Sequence, residues 1–293
     1  MTWLSDPLST EFFVRALLGG VLAAAICGVV GTWVVIRGMA FFGEAIGHGM
    51  LPGVALATLL GLPAVLGGAL SAITMSAAIT MLQRRGRLSY DTSIGLLFVG
   101  MLSLGVIIVS HSRSFATDAT VMLFGDILAI SADDIRLLVG ALIVTVIVAS
   151  TFHRAFVASA FDTRIAHTLG LRPQLAHSAL IGLVTLAVVA SYQAVGSLLV
   201  VGLLLAPAVA AQAWAFRVHR IMILAVAFGA LAVATGLLVS WHYGTAAGAS
   251  IACAAILLAI TSSACRTLLT LVGRQRTSAA TRDNAPQLSS APA

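Results

Sequence analysis

Nine stretches of this chain are apolar over about the length a helix needs to cross a hydrocarbon core: 12–36, 39–60, 63–82, 92–110, 135–152, 177–194, 195–214, 221–241 and 245–269. A chain of 293 residues divided this way, 60% hydrophobic and 9% charged, cannot be a soluble domain and reads as an all-α, polytopic helical membrane protein. Only Ser191, Tyr192 and Gln193 separate the sixth stretch from the seventh, so the crossings number eight or nine. Residues 1–273 form the membrane domain. From Arg274 the tail RQRTSAATRDNAPQLSSAPA is polar and without apolar periodicity, and 274–293 are expected to be disordered.

Within the second stretch the chain places a carboxylate and an imidazole inside the membrane. In RGMAFFGEAIGHGMLP, residues 37–52, the apolar run that starts at Met50 is too short to span, so the helix must begin near Met39. At about 1.5 Å per residue, Glu44 then lies roughly 7 Å and His48 roughly 13 Å from that end. Four residues apart on a helix is one face, so the two can meet a single ligand. Gly43, Gly47 and Gly49 beside them let a helix or an ion approach the backbone. A charge at helix centre costs about 2.5 to 3.5 kcal/mol on insertion scales and faces a pathway or a partner. Two readings follow: a transport site shared with His48, or an ion pair with Arg37.

The net charge of +6 is carried by arginine, for the chain holds no lysine. Arg37, Arg84, Arg85, Arg87, Arg154, Arg164, Arg172, Arg217, Arg220, Arg266, Arg274, Arg276 and Arg282 fall in loops that alternate crossings assign to one side; Arg15, Arg113 and Arg136 fall on the other. The positive-inside bias makes the first side cytoplasmic, with the N-terminus outside and the C-terminus inside. The acids Asp6, Glu11, Asp118, Asp126, Asp133 and Asp134 then face outward, an acidic mouth that would concentrate cations. The N-terminus MTWLSDPLST lacks a basic region and is not expected to be a cleaved signal. Cys27, Cys253 and Cys265 lie in separate apolar runs and read as free thiols.

Elsewhere the signals are local. Small residues along the first stretch, from Gly19 to Gly31, predict close helix contacts. Asp91 opens the fourth stretch, where a carboxylate favours the helix dipole. Residues 117–134 hold too short an apolar core to span and should lie at the outer surface or dip in and return. The loop FDTRIAHTLGLRPQL, residues 161–175, predicts a short helix from Thr163 to Leu169, capped by Gly170 and stopped by Pro173. It reads as a docking element or as an ordinary interfacial helix. Pro207 is expected to kink the seventh stretch, and His242 reads as part of a Trp-His-Tyr interfacial anchor. Without lysine there is no GxxxxGK[ST] phosphate loop, and HExxH and an intramembrane GxSxG are absent too, so the chain is not expected to be an enzyme.

These residues resemble a known family. GEAIGHGMLPGVALA is similar to the G-D-A-L-S-H-A-V-L-P-G motif of the membrane subunits of zinc and manganese ABC importers, the metal-ion ABC-transporter permeases. The likeness continues in order through YDTSIGLLF, VMLFGDIL, FDTRIAHTLGL and YQAVGSLLVVGLLLAPAVAA, from about residue 12 to 270. The resemblance implies a permease in the cell membrane, homodimeric or pseudodimeric. Two cytoplasmic ATPase subunits that consume ATP would drive it, and an extracytoplasmic binding protein would deliver Zn(II), Mn(II) or Fe(II). It implies that Glu44 and His48 line the metal path. It also implies a cytoplasmic coupling helix carrying Phe161, Asp162, Arg164, Ala166, Leu169 and Gly170 against the ATPase. No resident cofactor and no nucleic-acid partner is implied, and lipid surrounds the chain.

Two departures from the family pattern bear on the metal. Glu44 stands for the family's Asp, and Gly47 for its Ser. The acidic residue of a later D-x-P-S-G pattern is missing from YGTAAG, where only Gly248 survives. Fewer carboxylates lean the site toward imidazole and zinc. A siderophore or cobalamin permease would need a wider, uncharged pore, and a proton-coupled secondary carrier would use the pair as a relay.

Overall fold

The computed structural model describes residues 6–7, 9–84, 89–110 and 125–283, with backbone alone at 84, 163–165, 193 and 271–283. Among the described residues every regular element is helical. In chain order α1 spans Glu11–Ile36, α2 Ala40–Gly49, α3 Leu51–Leu59, α4 Ala64–Arg84 and α5 Tyr90–Ser110. A 3-10 turn at Ile127–Ala129 precedes α6 at Ala132–Thr151, followed by α7 at His153–Phe161 and α8 at Thr163–Thr168. The chain closes with α9 at Pro173–Gln212, α10 at Val218–Tyr243 and α11 at Ala247–Asp283. Among the described residues, eight segments are long and apolar enough to cross a membrane: α1, α4, α5, α6, each half of α9, α10 and the first 24 residues of α11.

The helix expected over 39–60 is interrupted. Pro52, the second residue of α3, has no N–H to offer the carbonyl of His48, and the helix breaks at Met50, which itself keeps right-handed helical angles. Both halves pack along α5, so together α2 and α3 run beside a full span and supply a ninth element of membrane length.

The second break lies at Gly196, not at Pro207. Gly196 has φ 74° and ψ 163°, angles open to glycine, while Pro207 sits inside continuous helix. Gly196 reverses the chain. Near the start of α9, His177 lies 6.3 Å ring to ring from Tyr90, the residue beside Arg37, and near its end Ala208 and Ala211 pack against Val35. Both ends of α9 therefore lie at the C-terminal end of α1. Gly196 instead abuts Gly125, whose neighbours Ile127 and Ile130 pack on Gly20 and Gly19 near the start of α1.

That last contact settles the described part of the 117–134 segment. Gly19 is eight residues into α1, about 12 Å along it, so 125–130 dip into the bundle before Ser131 caps α6. The Asp134 amide donates to Ser131 Oγ (3.2 Å) and the Ser131 amide to Asp134 Oδ2 (2.9 Å). Asp133 pairs with Arg136 and Glu11 with Arg15. Three of the acids assigned to an outer mouth are thus engaged locally; Asp118 lies outside the described residues.

Helix α1 is the axis of the bundle. A methyl group built at Gly31 would lie 1.8 Å from the Leu204 carbonyl oxygen, and one at Gly28 2.9 Å from the Val226 nitrogen, so α9 and α10 rest backbone to backbone on α1 as its small residues predict. The second half of α9 is 67% buried; α5, α6 and α11 are 22% buried and turn Leu96, Ile107, Ile147 and Ile260 outward to form the apolar perimeter. The three cysteines are free. Helix α11 runs to Asp283, and residues 284–293 lie outside the described part.

Candidate metal site

Helix α2 carries Glu44 and His48 one turn apart, both half-buried, on one wall of a cleft of about 520 Å³. The opposite walls are apolar. Leu198, Val201 and Leu205 come from the second half of α9, and Ala252, Ile256 and Ile260 from α11. Depth follows from neighbours: Gly47 faces Ser197 and Val201, and Cys27, in the middle of α1, reaches the Val200 carbonyl at 3.9 Å. His48 accordingly lies level with the middle of α1.

The imidazole is held from one side and unpartnered on another. Its ring meets Phe98 of α5 edge to face, with centroids 5.6 Å apart and planes at 72°, and its Nδ1 is buried without a hydrogen bond. Glu44 has no ion pair or hydrogen bond among the described residues, and Arg37 does not reach it. The guanidinium of Arg37 lies in the α1–α2 turn, with Nε and one terminal nitrogen buried and unsatisfied. Burial lowers its pKa from the ordinary value, and the neighbouring Tyr90 partly offsets this. The carboxylate and imidazole are thus left free for something in the cleft, and the ion-pair reading of Glu44 falls.

The three glycines serve packing. Gly49 meets α4: a methyl there would lie 2.0 Å from Met75 Sδ, and the Gly49 carbonyl accepts from Ser71 Oγ at 2.7 Å. Gly43 faces the end of Leu204. At Gly47 a Cβ would sit 3.7 Å from Ser197 Cβ and Val201, ordinary contact, so the serine of the resembling motif would fit. Among the described residues no group of three His, Cys, Asp or Glu side chains converges. One chain offers two ligands, one oxygen and one nitrogen donor, which suits an ion bound in passing. His242, the other imidazole weighed for cations, bonds the Leu238 carbonyl of its own helix at 2.9 Å.

The second predicted element, 161–175, also forms. Asp162 is extended (φ −157°) and its carbonyl accepts the Ala166 amide. Gly170 is left-handed at φ 70°, and the amides of Gly170 and Leu171 donate to His167 and Ala166 at 3.0 Å, a Schellman closure. Pro173 begins α9 where it was expected only to stop α8. Phe161 is 86% and Leu169 64% exposed, whereas Ala166 is fully buried and packs inward; the Arg164 side chain is outside the described part. Sequence reading passed over Phe216, 92% exposed in the α9–α10 turn; an aromatic pair beside arginines in WAFR was the available signal.

The model of the ABC 3 transport family matches residues 9–266. The manganese transport system membrane protein MntC of Listeria monocytogenes is 32% identical over 258 residues, 88% of this chain and 92% of that protein. A probable iron transport system membrane protein of Haemophilus influenzae is 31% identical over 251 residues, 85% and 92% of the two chains. Among solved structures, PsaBC from Streptococcus pneumoniae in complex with Fab superposes with a TM-score of 0.79 at 30% identity, over 89% of this chain and 94% of that one. With the match running through every membrane helix and through the cleft that holds Glu44 and His48, the chain belongs to the ABC 3 transport family.

Proposed function

We propose that the chain is the permease subunit of an importer that carries a divalent transition-metal ion through the cleft of Glu44 and His48. The observation that carries this reading is the pair itself: a carboxylate and an imidazole, half-buried at mid-span and without protein partners, on one wall of an otherwise apolar cleft. An entering cation offsets the cost of the buried carboxylate and takes the free imidazole nitrogen. Phe98 restrains the ring, so little side-chain freedom is lost on binding. With two ligands per chain the ion also leaves. A second copy would double the set, and the outward-facing Leu198, Ile256 and Ile260 around the cleft support a homodimer.

Manganese stands ahead of iron and zinc as cargo. The relatives compared are manganese and iron proteins by name, which sets aside the lean toward zinc, and a carboxylate beside an imidazole accepts all three ions. Arginine marks the side that faces the cytoplasm: Arg15 and Arg136 sit at the Gly196 end, while Arg37, Arg154, Arg217, Arg220 and Arg266 gather at the other. That end would be cytoplasmic, with the C-terminus inside. Exposed Phe161 and Leu169 on either side of α8 then form the contact with a separate ATPase.

The test is uptake of manganese, iron and zinc ions by proteoliposomes holding the full chain, its ATPase and its binding protein. Saturable, ATP-dependent manganese uptake that His48→Ala abolishes, with assembly intact, is the expected result. Uptake driven by a proton gradient without the ATPase would replace this reading with a secondary carrier.

A further inference from the structure

At the arginine-rich end a second cleft, of about 450 Å³, is lined by Trp214, Phe216, Arg217, Arg220, Ile223 and Leu224. Its tryptophan is fixed in place. The indole N–H donates to Ser262 Oγ at 2.7 Å, and the guanidinium carbon of Arg266 lies 5.6 Å from the ring centroid. Arg217 and Arg220 are exposed, and among the described residues no carboxylate pairs with either of them or with Arg266. Two unneutralised arginines line the cleft and a third lies against its tryptophan, a charge balance that suits an anion.

The apolar part of the lining decides which anion. Ile223 and Leu224 stand three and four residues beyond Arg220, on its face of α10, and Ile223 is 61% exposed. A ligand contacting the arginines would continue onto this apolar stripe, which then runs along a 26-residue span. Trp214 and Phe216 mark the depth as that of lipid headgroups, where amphipathic rings collect. A free phosphate would leave the stripe uncovered, and an acidic protein surface would have to follow it down into lipid.

We propose that this cleft seats the phosphate of an anionic phospholipid beside Arg217 and Arg220, in the field of Arg266 at the Trp214 ring, with an acyl chain along Ile223 and Leu224. The site is independent of the metal cleft and of any reading of the cargo. Binding there would tie the α9–α10 turn to the composition of the surrounding leaflet.

The experiment places the full chain in phosphatidylcholine nanodiscs doped with brominated phosphatidylglycerol or, in parallel, brominated phosphatidylcholine. Quenching of tryptophan emission is read, with Trp214→Phe subtracting the other tryptophans. The native chain should favour the anionic lipid at Trp214, each of Arg217→Gln, Arg220→Gln and Arg266→Gln should lower that preference about fivefold, and the triple variant should lose it. Arg154→Gln, which removes an exposed charge at the same end but outside the cleft, should leave the preference unchanged, as should inorganic phosphate added to the buffer. Equal quenching by both lipids in the native chain, an equal loss in Arg154→Gln, or displacement by inorganic phosphate would overturn the proposal. So would a triple variant that keeps its lipid preference and fails only to bind the ATPase, which would mark a protein-docking surface.

Discussion

The two clefts lie on neighbouring parts of the bundle and differ in chemistry. The metal cleft uses the second half of α9 and helix α11 and reaches Val209 and Ile260; just beyond, Ser262 Oγ donates to the Ala210 carbonyl (3.3 Å) and accepts from the indole of Trp214, which lines the arginine cleft together with the rest of the α9–α10 turn and the start of α10. The polar wall makes the difference. At mid-span it is α2, which brings Glu44 and His48 into apolar surroundings. At the membrane end it is the α9–α10 turn, which brings arginines where water and headgroups reach them. In each cleft the few charged side chains set against apolar helix surface fix the sign of the ligand. A carboxylate at depth is costly enough to demand a cation, whereas arginines at a helix end bury their stems and keep their charge solvated.

The comparison can be broken most completely at the contact of α1 with α9, which positions the metal cleft and leads into the α9–α10 turn. Gly31→Val would drive a side chain into the Leu204 backbone, a shift that no rotamer can relieve, and both clefts should be lost together. The expected cost is about 3 kcal/mol or more, seen as loss of folded protein by size-exclusion chromatography in detergent. Next in size, His48→Ala should abolish metal uptake while the lipid preference at Trp214, measured on the same protein, stays native. Loss of both would make the clefts a single unit.

Smaller effects sharpen the contrast. Glu44→Gln keeps an oxygen ligand and drops the charge, so the apparent affinity for manganese in uptake assays should fall about tenfold, or about 1.4 kcal/mol. Glu44→Asp should hold near-native uptake, and a loss as deep as that of His48→Ala would show that the longer side chain is required. The smallest effect is expected between the clefts. Ser262→Ala removes the acceptor for the Trp214 indole and should cost about 1 kcal/mol in thermal stability, with a shifted Trp214 emission and unchanged uptake.

The spans and the pair were readable because hydropathy over twenty residues and an i, i+4 spacing are local properties. The breaks were not. Pro207 looked like the kink, yet its helix stays regular, while Gly196, one of 27 glycines, turns the chain because a φ of 74° is available to it and because Gly125 waits opposite. Pro52 went unread as a break because the apolar pattern runs through it. The pairing of Glu44 with Arg37 was plausible by spacing and failed in three dimensions, since the turn at Gly38 (φ 65°) separates α1 from α2. The arginine cleft was out of reach because Trp214 and Arg266 meet only once the α9–α10 turn lies beside α11.

The meeting of Gly125 and Gly196 has a mechanical consequence. A methyl at Gly125 would lie 2.4 Å from the Gly196 nitrogen, so two segments about seventy residues apart touch main chain against main chain, with no side chain to act as a cushion. Two residues past that joint stands Leu198, the first residue of the metal cleft's far wall. The inward-dipping segment and the cleft wall therefore meet as two bare backbones, and a side chain added at Gly125 should push that wall aside and change the width of the cleft.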